Sequence, residues 1–343
     1  MYEQSNWYRL YGESWTGLIV PEAFAHPAKY SRALIRHIYQ HLIDEGWLKP
    51  GDTVCDPFGG VALGALHAMK HGLNWAGVEL EEKFASLGQQ NIDLWNSKFS
   101  QLPGWGNAVI LQGDSRKLGE VVDGARGCVS SPPYAGGCGH AGGSDPKPGY
   151  IEGGELHYVD YGQSDGQLAS LPEGGFDGVI SSPPYADGKA HPSIGTVNKD
   201  DWGNDGRDIV SRRGLDAGYG STNGQLGRES GDTFWQAAKQ IVRQVYQLLA
   251  PDAPAVWAVK SFVRKKKRVD FPNQWRQLCE SVGFETVHLH RAWLVEGRGG
   301  QFDLFGELHE KQVERKSFFR RLAEKKGSPR IDYEVVFCMR KSR

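Results

Sequence analysis

The chain has 343 residues, enough for one large α/β domain with insertions or for two domains. Its formal net charge of -1 argues against a uniformly basic nucleic-acid binder, so any nucleic-acid surface must be local. Five cysteines lack CxxC or metal-ligand spacing, which argues against a disulfide framework and predicts no metal. Without a signal peptide or a run of about 18 apolar residues, the expected location is cytoplasmic, with no membrane contact.

Periodicity predicts helices and strands that alternate along the chain. The first helix begins within 26–31 and ends near Gly46, and no element can be assigned to residues 1–25. The other predicted helices are 61–69, 81–97, 233–249 and 273–282. The predicted strands are 53–55, 75–79, 108–114, 127–130, 176–180, 255–260, 287–295 and 333–338. Such alternation predicts an α/β fold with a mostly parallel sheet and helices on both faces.

A glycine-rich turn follows the first strand and opens into the second helix. This glycine turn consists of Asp56, Pro57, Phe58, Gly59 and Gly60. Glycine lets the backbone approach a ligand closely, and a helix N-terminus presents free N–H groups. The pattern therefore indicates a nucleotide-type site at a strand end, although an ordinary tight turn is an equal alternative for this motif alone.

The motif Ser-Pro-Pro-Tyr occurs twice. Its residues are Ser131, Pro132, Pro133 and Tyr134 in the first copy, and Ser182, Pro183, Pro184 and Tyr185 in the second. An offset of 51 residues also superposes Asp114 on Asp165 and Gly127 on Gly178. Because two copies are too few for a solenoid, this repeat indicates a duplication within one domain.

Four features in a fixed order make the chain resemble the S-adenosylmethionine-dependent DNA amino-methyltransferases. They are the glycine turn, a strand ending in Glu79, a strand ending in Asp114 and the Ser-Pro-Pro-Tyr turn. The resemblance covers 26–134 and 233–296 well, and the remainder loosely. It implies a Rossmann-like class I methyltransferase fold with a mostly parallel seven-stranded sheet. The implied parts are a catalytic domain at 26–134 and 233–343, a glycine-rich target-recognition insertion at 135–232, and a basic insertion at 297–330.

The resemblance also implies how S-adenosylmethionine is held. The glycine turn would take the methionine part, with Asp56 near its ammonium. Glu79 would accept both ribose hydroxyls, and Asp114 would accept from the adenine amino group. The remaining implied cofactor contacts are His26, Lys29, Ser31, Leu80 and Ser115. A helix cap is the alternative for either acid, and a plain helix start is the alternative for 26–31.

Ser-Pro-Pro-Tyr is the implied catalytic centre. An exocyclic amino group is a poor nucleophile because its lone pair is delocalised into the ring. The Ser oxygen and the first Pro carbonyl would accept its two hydrogens, while the Tyr ring stacks on a base rotated out of the duplex. One sheet position beside the glycine turn is expected to hold one copy. The first copy is favoured because it follows Asp114 after a single short strand–helix–strand step, although the second copy follows the better strand.

The resemblance implies the target base less directly than it implies the cofactor. By the same resemblance, serine in the first position of the motif implies the N4 amino group of cytosine in double-stranded DNA, with adenine N6, an RNA base or a catalytically silent DNA-binding protein as alternatives. A basic run after the strand at 255–260 predicts phosphate contact, with a solvated face as its alternative. Its residues are Arg264, Lys265, Lys266, Lys267 and Arg268. The oligomeric state is left open.

Overall fold

The computed structural model describes most of the chain outside the glycine-rich region. The described residues are 2–26, 29–121, 128–130, 151–152, 155–156, 177–181, 226, 231–264, 266–302, 308–314, 325 and 327–342. Both Ser-Pro-Pro-Tyr motifs, at 131–134 and 182–185, lie outside these residues, as does Lys265. The roles predicted for them therefore stay predictions.

Helices and strands alternate in the described part of the chain, as the periodicity predicted. The α-helices are Arg32–Asp44 (α1), Leu63–Lys70 (α2), Glu82–Phe99 (α3), Leu118–Val121 (α4), Gly231–Leu248 (α5) and Phe271–Val282 (α6). The strands are Glu3–Trp7 (β1), Thr53–Asp56 (β2), Asn74–Glu79 (β3), Ala108–Gln112 (β4), Cys128–Ser130 (β5), Ile151–Glu152 (β6), Glu155–Leu156 (β7), Gly178–Ser181 (β8), Pro254–Val259 (β9), Phe262–Arg264 (β10), Lys267–Val269 (β11), Phe284–Trp293 (β12), Val295–Phe302 (β13), Leu308–Glu314 (β14) and Tyr333–Lys341 (β15).

Nine of the strands in the described residues form the central sheet, in the order β1-β12-β15-β9-β8-β5-β2-β3-β4. The strands β4, β3, β2, β8 and β9 run parallel, and β15 is antiparallel to both β9 and β12. This order confirms a Rossmann-like α/β fold. The sheet exceeds the seven predicted strands by two, because β1 adds an edge strand and both β5 and β8 lie between β2 and β9.

Helices cover both faces of the sheet, which is why central strands such as β2 and β9 are buried along their whole length. Every residue of β2 and of β9 is buried. One apolar layer packs α1, α2 and α3 on the sheet through side chains such as Ile35, Leu66 and Trp95. The other layer packs α5 and α6 through side chains such as Val242 and Trp275. Burial of each large apolar side chain contributes about 1.5–3 kcal/mol to folding.

Three features differ from the sequence-based expectation or extend it. Residues 1–25, which carried no assignable pattern, contain β1, which pairs in parallel with β12. The basic insertion at 297–330 contains strands, because β13 and β14 form an antiparallel hairpin. Cys55 is disulfide-bonded, while Cys279 and Cys338 are free and buried. Within the described residues, no helix is long and apolar enough to span a membrane.

Candidate functional site

The glycine turn lies at the carboxyl end of β2 and is tied to β3. Asp56 Oδ1 accepts from the Phe58 N–H at 2.9 Å, which closes the turn. The Gly59 N–H donates to the Val78 carbonyl at 2.7 Å. A Cβ at Gly59 would lie 3.1 Å from Ile110 Cδ1 and 3.2 Å from Val78 N, so this close approach to β3 requires glycine.

Gly60 is required for a different reason. Its φ of +54° lies in the left-handed region, and a Cβ would lie 3.2 Å from the His26 ring. The buried His26 ring also meets the Phe84 ring edge-on, with centroids 4.5 Å apart. A small cavity opens between His26 and the glycine turn. Its lining consists of His26, Asp56, Gly59, Gly60, Val61, Leu63 and Gly64.

Glu79 is the buried carboxylate of this site. It is 5% exposed, its Oε2 accepts from the Gly60 N–H at 2.9 Å, and its Oε1 accepts from the Glu81 N–H at 3.0 Å. Burial raises the pKa of Glu79 to about 7, against the opposing effect of these backbone hydrogen bonds. A carboxylate has about four lone-pair positions, so two remain for a ligand that donates hydroxyl hydrogens.

The β4 end contributes Asp114 and Ser115. Asp114 Oδ1 accepts from the Arg116 N–H at 2.9 Å, and its carboxylate pairs with the Arg116 guanidinium. Asp114 therefore caps the 3-10 turn Ser115–Lys117, which was the alternative considered for a lone acid. The Ser115 hydroxyl donates to the Pro57 carbonyl and so joins the end of β4 to the glycine turn.

Lys29 and Ser31 make structural contacts just before α1. Lys29 Nζ donates to the Phe24 carbonyl at 3.2 Å and to the His26 carbonyl, and burial lowers the pKa of Lys29. The Ser31 hydroxyl donates to the Leu10 carbonyl. These bonds fix the path of the chain that brings His26 against Gly60. Leu80, directly after β3, is half-buried.

Asn91 supports the site and was not singled out from the sequence. It is fully buried, its Nδ2 donates to the Val61 carbonyl at 2.9 Å, and its Oδ1 accepts from the Val20 N–H at 2.8 Å. One side chain thus links α3, the start of α2 and the segment before His26. The sequence signal was a polar residue in the apolar stripe of α3 that contains Phe84 and Trp95.

The predicted strands that precede both Ser-Pro-Pro-Tyr motifs are present in the sheet, but the motifs lie outside the described residues, so which copy is beside the glycine turn stays a prediction. The strand β5 pairs in parallel with β8, and Ser130 is opposite Ser181. The residues immediately before the two motifs therefore stand side by side. β8 also pairs with β9, and each of β5 and β8 meets β2 at a single register pair, Cys55 with Cys128 for β5 and Val54 with Gly178 for β8.

The basic run lies on an antiparallel hairpin formed by β10 and β11. Lys266 occupies its turn, with a φ of 59°. Arg264, Lys266 and Lys267 are exposed, and the Arg268 guanidinium lies 5.6 Å from the centre of the Tyr333 ring. Because β10 follows β9 directly and β9 is parallel to β8, this hairpin extends from the same edge of the sheet that carries the glycine turn.

No family model matches the sequence, and no curated protein matches it. Similar solved structures include TrmN from Thermus thermophilus, at 14% identity and a TM-score of 0.37, covering 94% of this chain and 52% of that one. This chain thus spans about half the length of TrmN. A methyltransferase from Pyrococcus furiosus is 12% identical, with 92% and 84% of the chains covered and a TM-score of 0.34. The magnesium protoporphyrin IX methyltransferase from Synechocystis PCC 6803, with bound SAH, is 11% identical, with 91% and 83% covered and a TM-score of 0.40.

Sequence identities and TM-scores as low as these do not identify an activity for this chain. The strand order and the site geometry define the chain as a Rossmann-like α/β protein with a glycine turn and a buried acid at adjacent strand ends. In open parallel sheets, this edge is where nucleotide-type cofactors bind.

Proposed function

We propose that the chain is an S-adenosylmethionine-dependent methyltransferase that modifies an exocyclic amino group of a base in double-stranded DNA. The proposal rests on one observation, which is that several functional features lie at the same edge of the sheet. The glycine turn, buried Glu79 and the two strands that run directly into Ser-Pro-Pro-Tyr all end there. A cofactor site formed by the glycine turn and Glu79 would then lie beside a motif of amino-group acceptors.

The residues of this cofactor site suit S-adenosylmethionine. Glu79 has lone pairs left for two ribose hydroxyls, and its neighbour Gly60 has no side chain that would block their approach. The carboxylate of Asp56 provides a negative charge for the methionine ammonium at the end of β2. His26 lies beside Gly60 and would cover this end of the cofactor. Asp114 would release Arg116 and accept from the adenine amino group of S-adenosylmethionine, which would hold the adenine ring of the cofactor in place.

The cofactor supplies an electrophilic methyl group on a sulfonium. The transfer forms a carbon–nitrogen bond, breaks the carbon–sulfur bond, and releases S-adenosylhomocysteine and one proton from the amino group. The chain's part is to direct the nitrogen lone pair. A Ser oxygen and a Pro carbonyl that accept the two amino hydrogens favour the pyramidal nitrogen of the transition state over the planar ground state. A Tyr ring would support the extruded base.

The pairing of the strands favours the second motif as the catalytic copy, in place of the first. β8 is held by β9 on one side and by β2 at Val54 and Gly178 on the other. The Asp177 N–H also donates to the Thr53 carbonyl at 3.3 Å, and the Thr53 N–H donates to Asp177 Oδ2 at 3.0 Å. Ser182 is the next residue in the chain after β8, and these added hydrogen bonds between Asp177 and Thr53 favour its motif.

Double-stranded DNA is proposed as the partner because the exposed hairpin of β10 and β11 carries positive charge toward the cofactor edge. Cytosine N4 is the proposed target, because both motifs begin with serine. Adenine N6 by the same machinery is the second candidate, since a hydroxyl can accept from either amino group.

The test is methyl transfer from radiolabelled S-adenosylmethionine to double-stranded DNA, followed by digestion to nucleosides and identification of the product by mass. Single-stranded DNA and RNA of the same sequence serve as matched substrates. Label in N4-methylcytosine supports the full proposal, and label in N6-methyladenine redirects the choice of base. Cofactor binding without transfer to any nucleic acid contradicts the proposal and favours a silent binding protein.

A further inference from the structure

Three histidines meet where α1 packs against β12, although the sequence separates His41 from the other two by more than two hundred residues. His41 Nε2 lies 3.2 Å from His288 Nδ1 and 3.2 Å from His290 Nε2. One nitrogen from each ring can be chosen so that all three lie within 4.8 Å of one another. His288 is 8% exposed and His290 is 4% exposed, while His41 is half-buried. The three rings therefore converge on one point that is largely shielded from water.

The opposite nitrogens of the two strand histidines face β1. His290 Nδ1 is 2.7 Å from Ser5 Oγ, and His288 Nε2 is 3.8 Å from Glu3 Oε2. The Trp7 ring stacks on His290, with centroids 4.0 Å apart. Metal-binding histidines characteristically offer one ring nitrogen to the ion and donate from the other to a carboxylate or another oxygen, which sets the tautomer. His290 has this arrangement through Ser5, and the Glu3 carboxylate is the nearest such group to His288, at a distance longer than a hydrogen bond.

Two of the three nitrogen–nitrogen distances can be compared with those of ligands that share one ion. Zinc–nitrogen bonds of about 2.0–2.1 Å at tetrahedral angles place neighbouring nitrogens roughly 3.3–3.4 Å apart. The two contacts to His41 Nε2 are close to this value.

We propose that His41, His288 and His290 bind a zinc ion through His41 Nε2, His288 Nδ1 and His290 Nε2, with water as the fourth ligand. This departs from the expectation of no metal, which rested on spacing along the sequence. His288 and His290 lie in the middle of β12, away from its carboxyl end. The role is structural. The ion joins α1 to β12, and the outer partners Glu3 and Ser5 hold edge strand β1 onto the same group.

The alternative is a metal-free cluster in which His41 Nε2 accepts a hydrogen bond from both other rings. Metal titration of untagged, chelator-treated full-length protein distinguishes the two. We expect one tightly bound Zn²⁺ per chain, and with Co²⁺ the visible absorption of a tetrahedral site. His41→Gln and the double variant His288→Gln/His290→Gln should lose at least tenfold in affinity. His37→Gln is the matched control, because His37 lies one turn before His41 on α1 but outside the cluster.

Thermal unfolding gives a readout that does not depend on methyl transfer. Zn²⁺ should raise the Tm of the natural protein and of His37→Gln, and should leave the Tm of the two ligand variants unchanged. Ser5→Ala should weaken Zn²⁺ about 10–100-fold while retaining the site, since it removes only an outer partner. If a ligand variant does not fold, the measurements on the natural protein alone test the zinc site. Absence of a stoichiometric ion and of a Zn²⁺-dependent rise in its Tm overturns the proposal, as does equal affinity in the ligand variants.

Discussion

The carboxylate of Glu79 connects the glycine turn to the end of β3, so its replacement tests the cofactor site directly. Glu79→Ala removes the acceptor for the Gly60 and Glu81 N–H groups and the acceptor proposed for the ribose hydroxyls. One charge-assisted hydrogen bond contributes about 1.5–3 kcal/mol, so loss of the ribose contact alone lowers cofactor affinity roughly tenfold to more than a hundredfold. Because two buried donors also lose their partner, the turn itself should become less ordered.

Glu79→Gln is the matched control for this experiment. It keeps the shape and one acceptor oxygen but not the charge, so we expect an affinity between those of the natural protein and Glu79→Ala. Isothermal titration with S-adenosylmethionine measures all three, and circular dichroism checks that each variant is folded. Equal affinity for the natural protein and Glu79→Ala would refute the assignment of Glu79 to the cofactor.

The same residue predicts a dependence on pH. The pKa of Glu79 in the folded protein is raised from 4.5 to about 7, so its contribution to stability is fully present below 4.5 and is lost as the pH rises through about 7. Cofactor affinity should change in the opposite direction, increasing through pH 7, because the ionised carboxylate is the stronger acceptor for hydroxyl hydrogens. Glu79→Gln should lack this increase. A flat affinity profile in the natural protein contradicts the reasoning.

Three other perturbations address the remaining parts of the site. Asp114→Ala should weaken S-adenosylmethionine about tenfold and lower stability by about 1 kcal/mol, because the residue also caps the turn after β4; calorimetry of binding and of unfolding measures both. Ser182→Ala should abolish turnover with cofactor affinity unchanged, whereas Ser131→Ala should retain turnover; the reverse result would return catalysis to the first motif. Charge reversal at 265–267 should weaken DNA binding and flatten its salt dependence, measured by fluorescence anisotropy between low and high salt, and an unchanged slope would indicate a solvated face.

The sequence was informative where one side chain or one period determines the local structure. The apolar run before Asp56, the glycines after it and the acid that ends β3 predicted the glycine turn and its neighbour strand. The helical stripe of α5 was equally clear, with Phe234, Ile241 and Val245 on its buried side. In these elements, local pattern and burial agree, so the elements could be identified without tertiary information.

Other features depend on contacts between distant parts of the chain and leave no local pattern. β1 is an edge strand with mostly exposed side chains, so it lacks an apolar alternation and is recognised only through its pairing with β12. The strands β5 and β8 were predicted, but their adjacent order between β2 and β9 could not be derived, because each has the same short apolar pattern. The histidine cluster is the strongest case, since α1 and β12 meet only in the folded chain.

We propose that this chain methylates an amino group of a base in double-stranded DNA, and detection of the methylated nucleoside tests this directly. Purified protein is incubated with S-adenosylmethionine carrying a labelled methyl group and with unmethylated genomic DNA, with Glu79→Ala as the inactive control. The DNA is then digested and its nucleosides are separated by mass. We expect label in N4-methylcytosine with the natural protein and little with Glu79→Ala. Absence of label in any nucleoside, from protein shown by titration to bind the cofactor, would contradict the proposal.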